Sequence, residues 1–121
     1  MAGIIFLKTQ NLEKIRDFYT SMIEATVWVD QKDCIIFKHD NFLFGFCEGF
    51  RIDKYGLLTF FYQTIEEVDR MYDRLRNITT TQPTRNERYR IYQFFAKDPE
   101  GRDLEFQNFL HEIDFSWDFY S

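Results

Sequence analysis

The residues of this chain that could do chemistry lie on one face of a predicted strand near the carboxyl end. The run 103–109 alternates polar and apolar residues, which puts Asp103, Glu105 and Gln107 on the same strand face. A carboxylate that projects from a strand into a site can bind a metal ion or act as a base. It can equally face solvent, which is the commoner state for a single glutamate on a strand. Whether Glu105 lies in a site or faces solvent depends on the elements around this run.

The residues just before this run predict a tight turn. Asp98 can accept hydrogen bonds from the backbone of the turn, Pro99 presets φ, and Gly101 can adopt a positive φ. We therefore expect a β-hairpin, with strand 89–95 leading into the turn and strand 103–109 leaving it.

The elements that precede the hairpin occur twice along the chain. Asn11 and Thr64 each stand where a helix N-cap is expected, and a shift of 53 residues superposes the apolar stripes that follow them. The first half predicts strand 3–8, helix 12–24 and strands 25–30, 34–38 and 42–47. The second half predicts strand 57–62, helix 65–77, a short strand 78–81, a loop at 82–86, and strands 89–95 and 103–109. The expected fold is α+β, with two tandem βαβββ modules and their helices on the outside.

The charge balance disfavours nucleic acid and anionic membrane surfaces as partners. The chain has 121 residues, 15 basic against 20 acidic, and a net charge of −5, whereas both partners require a concentrated basic surface. Arg85, Arg88 and Arg90 do cluster, but Glu87 lies among them, which is typical of a solvated loop. No apolar run approaches the length of a membrane span.

Cys34 and Cys47 are the only cysteines of the chain. No signal peptide precedes them, because the chain enters a predicted strand almost at once. Two thiols without a secretory context are expected to be free and reduced. We therefore expect a soluble, cytoplasmic protein.

The pattern resembles the vicinal-oxygen-chelate superfamily, which includes glyoxalase I, bleomycin-resistance proteins, fosfomycin-resistance enzymes and extradiol dioxygenases. The resemblance spans 3–109 and depends on Asn11 with the helix after it, and on the stretch 94–106 around the turn. It implies a single glyoxalase-like domain over 1–121, whose mixed sheet forms a cup with the site on its concave side. Module one would cover about 1–50, module two about 56–110, and an acidic, aromatic tail 111–121.

The resemblance also indicates where metal ligands would stand. Superfamily enzymes take them from the first and last strand of each module, which correspond here to Ile4, Gly45, Leu57 and Glu105. Only Glu105 can bind a metal, and one carboxylate does not hold a divalent ion against water. The sequence therefore predicts no metal and no other cofactor.

If Glu105 faces the cup, strand alternation brings further side chains to the same side. The predicted ligand-binding residues are Glu105, Gln107, Lys8, Phe6, Thr59 and Phe61. An apolar lining with a few polar groups is typical of a small-molecule site, although Phe6 and Phe61 could instead fill the cup themselves. We expect Glu105 to pair with Lys8 or with a group of the ligand, because an unpaired buried carboxylate is costly.

Three functions are compatible with this sequence. The first is a metal-free protein that binds a small, partly aromatic or cationic molecule, which the acidic balance and the 20% aromatic content favour. The second is a metal-dependent lyase, isomerase or dioxygenase of the resembled superfamily. The third is a dimeric structural or regulatory module without catalysis. A homodimer is expected in any case, since two-fold association is the commonest symmetry of small oligomers.

Overall fold

A computed structural model of the chain describes residues 2–113 and divides them into two compact units, 2–54 (unit 1) and 55–113 (unit 2). Each unit has four strands and one helix. Unit 1 contains β1 Ile4–Thr9, α1 Leu12–Ser21, β2 Thr26–Asp30, β3 Cys34–His39 and β4 Phe42–Glu48. Unit 2 contains β5 Leu58–Tyr62, α2 Ile65–Arg74, β6 Thr84–Asn86, β7 Ile91–Lys97 and β8 Asp103–Phe109. The predicted tail falls mostly on 114–121, which lie outside the described residues.

The two sheets have the same topology. Their strand orders are β1-β4-β3-β2 and β5-β8-β7-β6, so in each unit the first strand pairs parallel with the last. The other pairings are antiparallel. This confirms the predicted α+β fold of two tandem βαβββ modules.

Both helices begin at the predicted caps. Asn11 Oδ1 accepts a hydrogen bond from the backbone nitrogen of Lys14 at 3.1 Å, and Thr64 Oγ1 accepts one from that of Glu67 at 3.2 Å. Each helix ends before its predicted bound, at Ser21 and Arg74. In α1 the cause is local, because Glu24 adopts a φ of 67°, which cannot continue a right-handed helix.

The short strand predicted at 78–81 is wrong. Thr79 makes only an isolated bridge to Ala96, and the edge strand is instead β6, inside the stretch predicted as a loop. Pro83 suggested a loop because it lacks a backbone N–H. It stands immediately before an edge strand, however, where no sheet hydrogen bond is lost.

Aromatic side chains fill the helix side of each sheet. In unit 1 the ring of Tyr19 on α1 lies 5.0 Å from that of Phe46 and 5.4 Å from that of Phe44. In unit 2 the ring of Phe106 stacks on Phe94 at 4.9 Å and on Phe60 at 5.5 Å. The high phenylalanine content is thus largely core packing.

The two cysteines form a disulfide across β3 and β4, so the expectation of free thiols is wrong. The hairpin register that pairs His39 with Phe42 also sets Cys34 opposite Cys47, with their Cα atoms 4.0 Å apart. Residues directly opposed on neighbouring strands project to the same face of the sheet, which brings the two sulfur atoms together. Among residues 2–113, no helix combines the length and hydrophobicity that crossing a membrane requires.

Candidate active site

A cleft of about 630 Å³, hereafter the unit 2 cleft, opens on unit 2. It lies on the sheet face away from α2, since Phe94 and Phe106 point into the core and their neighbours alternate to the other side. The lining residues come from β6, β7, β8 and the segments next to them: Leu57, Asn86, Tyr89, Ile91, Gln93, Phe95, Glu105, Gln107, Phe109 and His111.

Cross-strand pairs build the floor of the unit 2 cleft. The antiparallel register of β7 and β8 sets Gln93 opposite Gln107 and Phe95 opposite Glu105. The hairpin turn holds this register. Asp98 Oδ1 accepts from the backbone nitrogens of Glu100 at 2.8 Å and Arg102 at 3.0 Å, and Gly101 has a φ of 86°, as the turn prediction required.

The same turn contains a buried ion-pair cluster that the sequence did not reveal. The guanidinium of Arg102 donates to Asp98 Oδ2 at 3.1 Å and to Glu100 Oε1 at 2.8 Å. All three side chains are almost fully buried. Each charge of this cluster has an opposite charge at hydrogen-bond distance, so removing one partner would leave a buried charge uncompensated.

Glu105 is a buried carboxylate held by neutral groups. Only 7% of the residue is exposed. The hydroxyl of Thr59 donates to its Oε1 at 2.8 Å, and the Nε2 of Gln93 donates to its Oε2. In the part of the chain that the structure describes, it forms no ion pair. Its partners within the described chain are therefore Thr59 and Gln93 rather than Lys8, which was one of the two partners that we expected.

A chain of hydrogen bonds orients Gln93. The Nδ2 of Asn86 donates to Gln93 Oε1 at 2.9 Å, and the backbone nitrogen of Tyr89 donates to Asn86 Oδ1 at 3.2 Å. Because an ionised carboxylate only accepts, Glu105 fixes the amino end of Gln93, and Asn86 fixes its carbonyl end. Glu105, Gln93 and Asn86 thus form one rigid polar row.

Gln107 differs from its neighbours in that row. It is 8% exposed, and its side-chain amide has no hydrogen bond to any residue in 2–113. The amide atoms are not sealed from the solvent either, because the unit 2 cleft reaches them. The side chain of Gln107 lies on the cleft face of β8, where a ligand could pair with its amide.

Aromatic side chains form the walls. Phe95 and Phe109 are half-buried, and Tyr89 at the rim is 60% exposed. The ring of His111 lies 5.7 Å from that of Phe109. The Nδ1 of His111 lies 3.0 Å from the carbonyl oxygen of Glu112, and since a carbonyl only accepts, Nδ1 carries the proton in that bond.

The strand that carries Gln93 is anchored to the helix behind it. The hydroxyl of Tyr92 donates to Asp69 Oδ1 on α2 at 2.6 Å. This bond, with burial and the negative charge of Asp69 adding to it, raises the pKa of Tyr92 to about 12.

The predicted site residues divide between the two units. Glu105 and Gln107 line the unit 2 cleft. Thr59 donates to Glu105 from the neighbouring strand, and the ring of Phe61 lies 5.6 Å from that of Phe109. Phe6 and Lys8 belong to unit 1. There the backbone nitrogen of Lys8 donates to Asp53 Oδ2 at 2.8 Å.

Phe6 covers the strand position at which the resemblance placed a metal ligand. Phe6 and Gly45 are partners in the parallel pairing of β1 and β4. A Cβ added to Gly45 would lie 2.6 Å from Cε1 of Phe6, so the ring rests directly on the glycine. A glycine under an aromatic ring offers no donor to a metal.

The donor set does not fit a divalent metal. No three His, Cys, Asp or Glu side chains come together within 2–113, and both oxygens of Glu105 already accept hydrogen bonds. A stable site needs several protein donors at fixed geometry. The absence of a bound metal stays a prediction that metal analysis must test.

Several cleft residues escaped the sequence analysis. Within the predicted strand 89–95, period-two alternation puts Ile91, Gln93 and Phe95 on one face, which is the face that lines the cleft. The sequence pattern predicts a loop over 82–86, so it gives no sign that Asn86 belongs to a strand, β6. His111 begins the predicted tail, past the last strand. The contact of its ring with Phe109 depends on how the chain leaves β8, which the sequence pattern does not show.

A second, smaller cavity of about 400 Å³ lies at the β3–β4 hairpin tip of unit 1. It is lined by Glu24, Thr26, Lys38, His39 and Asp40. Burial lowers the pKa of His39, with Asp40 and Glu24 acting in the opposite direction. Its polar lining lacks the apolar walls of the unit 2 cleft.

Comparisons with solved structures show which fold this is. A glyoxalase/bleomycin resistance protein/dioxygenase from Nocardioides matches with a TM-score of 0.74 at 16% identity, covering 95% of this chain and 87% of that one. A protein with the same description from Alicyclobacillus acidocaldarius gives 0.75 at 16%, covering 92% of each chain. Lactoylglutathione lyase from Agrobacterium tumefaciens gives 0.73 at 16%, covering 89% of this chain and 92% of that one. No protein-family model and no curated protein sequence matches the chain.

Proposed function

We propose, for a chain with the fold of the glyoxalase/bleomycin resistance/dioxygenase proteins, that it binds a small, partly aromatic or cationic molecule without a metal. The observation that carries the proposal is the unit 2 cleft, where a buried carboxylate without an ionic partner lies among aromatic side chains. An apolar cleft with a few directed polar groups is the usual composition of a small-molecule site.

Burial of Glu105 supports a ligand that is not an anion. Two neutral donors stabilise its charge, which leaves the negative charge of the cleft floor uncompensated by any basic residue at ion-pair distance within 2–113. A cationic or hydrogen-bond-donating ligand lowers the cost of burying that charge, and an anion raises it. Aromatic rings on the ligand would pack against Phe95, Phe109 and Tyr89.

The alternative to this proposal is that the protein is a metal-dependent lyase or dioxygenase. Lactoylglutathione lyase is the activity named for the Agrobacterium neighbour, whose identity of 16% reports fold alone. Elemental analysis of the purified protein separates the two functions. About one zinc, nickel, manganese or iron ion per chain would overturn the metal-free proposal.

NMR titration with small aromatic compounds tests binding directly. We expect backbone amides of β7 and β8 to shift, while those of α1 in unit 1 stay unchanged. Tyr89→Ala should weaken binding because it removes a wall of the cleft. Tyr55→Ala is the matched control, since Tyr55 is 85% exposed and does not line the cleft. Equal losses in both variants, or shifts outside the cleft only, would contradict the proposal.

A homodimer and a cytoplasmic location belong to the same proposal. Large apolar side chains such as Trp28, Phe50 and Tyr55 are exposed on the chain, and two-fold association would cover such surfaces. A single monomeric species in sedimentation at micromolar concentration would contradict the dimer. The Cys34–Cys47 bond is the observation that opposes a cytoplasmic location, because cytoplasmic thiols are kept reduced. Cell fractionation tests the location: we expect the chain in the cytoplasmic fraction, and its recovery from another compartment would contradict the proposal.

A further inference from the structure

The side chain of Gln107 is the one polar group of the cleft floor whose hydrogen bonds are not made within residues 2–113. Asn86, Gln93 and Glu105 bond to one another or to Thr59, and their orientation is fixed by those bonds. Gln107 is more than nine-tenths buried, yet its amide faces the unit 2 cleft. A ligand that displaces solvent from the cleft must pair with this amide, because an amide left unpaired once water is excluded is destabilising.

A primary amide specifies the chemistry of its partner. It presents a carbonyl acceptor and an amino donor side by side in one plane. A partner that makes both hydrogen bonds must itself carry an adjacent donor and acceptor, as a carboxamide or a lactam does. A carboxylate offers only acceptors, and an amidinium offers only donors, so each can make one of the two bonds.

The surroundings of Gln107 favour a neutral partner of this kind. Glu105 lies two residues away on the same face of β8, so a carboxylate at Gln107 would stand beside a buried negative charge. The carboxylate of Glu105 already accepts from Thr59 and Gln93, which lessens its demand for a cation. Arg88, whose guanidinium lies 5.5 Å from the ring of the rim residue Tyr89, is exposed and does not line the cleft, so it does not offset the charge of Glu105 on the floor.

We infer that the ligand of the unit 2 cleft carries a neutral carboxamide or lactam edge that pairs with Gln107, on an aromatic or otherwise flat apolar body. This inference rests on the proposed function and deepens it, because it names the ligand class of the same cleft. It commits to a neutral donor–acceptor group, where the proposed function allows any small aromatic or cationic molecule.

Four probes of the same size separate these chemistries. Benzamide carries the donor–acceptor edge, benzamidine a cation with donors only, benzoate an anion with acceptors only, and toluene no polar group. Each is titrated at millimolar concentration into the 15N-labelled full chain, and the side-chain amide resonances of Gln107 are followed. We expect benzamide to shift those resonances and to bind about tenfold more tightly than toluene, the effect of two neutral hydrogen bonds.

Substitution provides the second readout. Gln107→Leu keeps the approximate size of the side chain and removes its amide, so it should weaken benzamide about tenfold and leave toluene unchanged or tighter. Gln82→Leu is the matched control, because Gln82 is exposed on the loop before β6. It should change neither affinity. The wild-type amide resonances report on the contact even where Gln107→Leu lowers stability.

The outcomes distinguish this inference from the proposed function. Benzamidine, benzoate or toluene binding in the cleft as tightly as benzamide, with no effect of Gln107→Leu on benzamide, overturns the inference and leaves the proposed function standing. No shift of any cleft resonance with any of the four probes contradicts both. A benzamide-specific shift at Gln107 that Gln107→Leu abolishes and Gln82→Leu retains supports both.

Discussion

The hydroxyl of Thr59 on β5 donates to Glu105 on β8 at 2.8 Å, and the two residues are direct partners in the parallel pairing of these strands. The carboxylate of the unit 2 cleft is thus held by the strand beside it and by Gln93 across the hairpin. Neutral donors on both oxygens let the carboxylate stay buried without a basic partner. The cleft floor is therefore preorganised by bonds within the chain.

Glu105→Gln should lower the free energy of unfolding by about 1–3 kcal/mol. The new amide has one acceptor oxygen instead of two, so it can accept from Gln93 or from Thr59 but not from both, and the bond that remains loses the negative charge of its acceptor. Chemical denaturation measures the change. Glu87→Gln, at an exposed position of the same unit, should be neutral. Equal stability of the two variants would mean that the Glu105 hydrogen bonds contribute nothing.

Gly45→Ala should displace the ring of Phe6. The added methyl would meet ring atoms at 2.6 and 2.7 Å, closer than any real contact. The ring is half exposed and can swing into solvent, so we expect a loss of about 1 kcal/mol or less, because only side-chain contacts are given up. A double-mutant cycle checks this: in a Phe6→Ala background, Gly45→Ala should cost nothing. A full cost in that background would place the clash elsewhere.

Reduction of the Cys34–Cys47 bond should destabilise the protein. The bond closes a loop with a sequence separation of 13, for which loop-closure entropy corresponds to about 3 kcal/mol. Thermal melts with and without reductant measure the effect, and the double variant Cys34→Ser/Cys47→Ser should not respond to reductant. Free thiols in the denatured, unreduced protein would contradict the disulfide.

Tyr92 should give the stability a dependence on alkaline pH. Its pKa is raised from 10.0 to about 12 in the folded chain, so between these values the folded state binds more protons than the unfolded state. The hydrogen bond to Asp69 therefore contributes fully below pH 10 and is lost as the pH rises through about 12. Tyrosinate absorbance should contain a late ionisation step near pH 12 that belongs to Tyr92. Tyr92→Phe should remove that late step, and an unchanged titration in this variant would refute the assignment.

The sequence predicted the parts of this fold that depend on local pattern. Both helix caps, the Asp98 turn and the bounds of β8 follow from residue types within a few positions of each other. What it missed depends on register between strands. The Cys34–Cys47 bond and the place of Asn86 opposite Ile91 appear only when a hairpin is aligned.

The same distinction applies to the candidate site: local pattern predicts one part of it, and the register between strands determines the other. Period-two alternation predicts which side of β8 carries Glu105 and Gln107, since neighbouring residues on a strand point to opposite faces. This alternation does not predict which side chains form hydrogen bonds with Glu105. Thr59 is brought to it by a parallel pairing and Gln93 by an antiparallel one, and neither depends on the residues next to Glu105 in the chain.

The two partners of Glu105 also lie at very different distances along the chain, 12 residues for Gln93 and 46 for Thr59. Closing the short hairpin loses less chain entropy than closing the long parallel loop, so the β7–β8 half of the cleft floor should form first during folding. Phe94 and Phe60 test this order, because both stack on Phe106 from the two sides. Phe94→Leu should then slow folding and Phe60→Leu chiefly speed unfolding, and the reverse pattern would refute the order. On this route the carboxylate acquires its first hydrogen-bond donor in the transition state and its second only as the sheet closes.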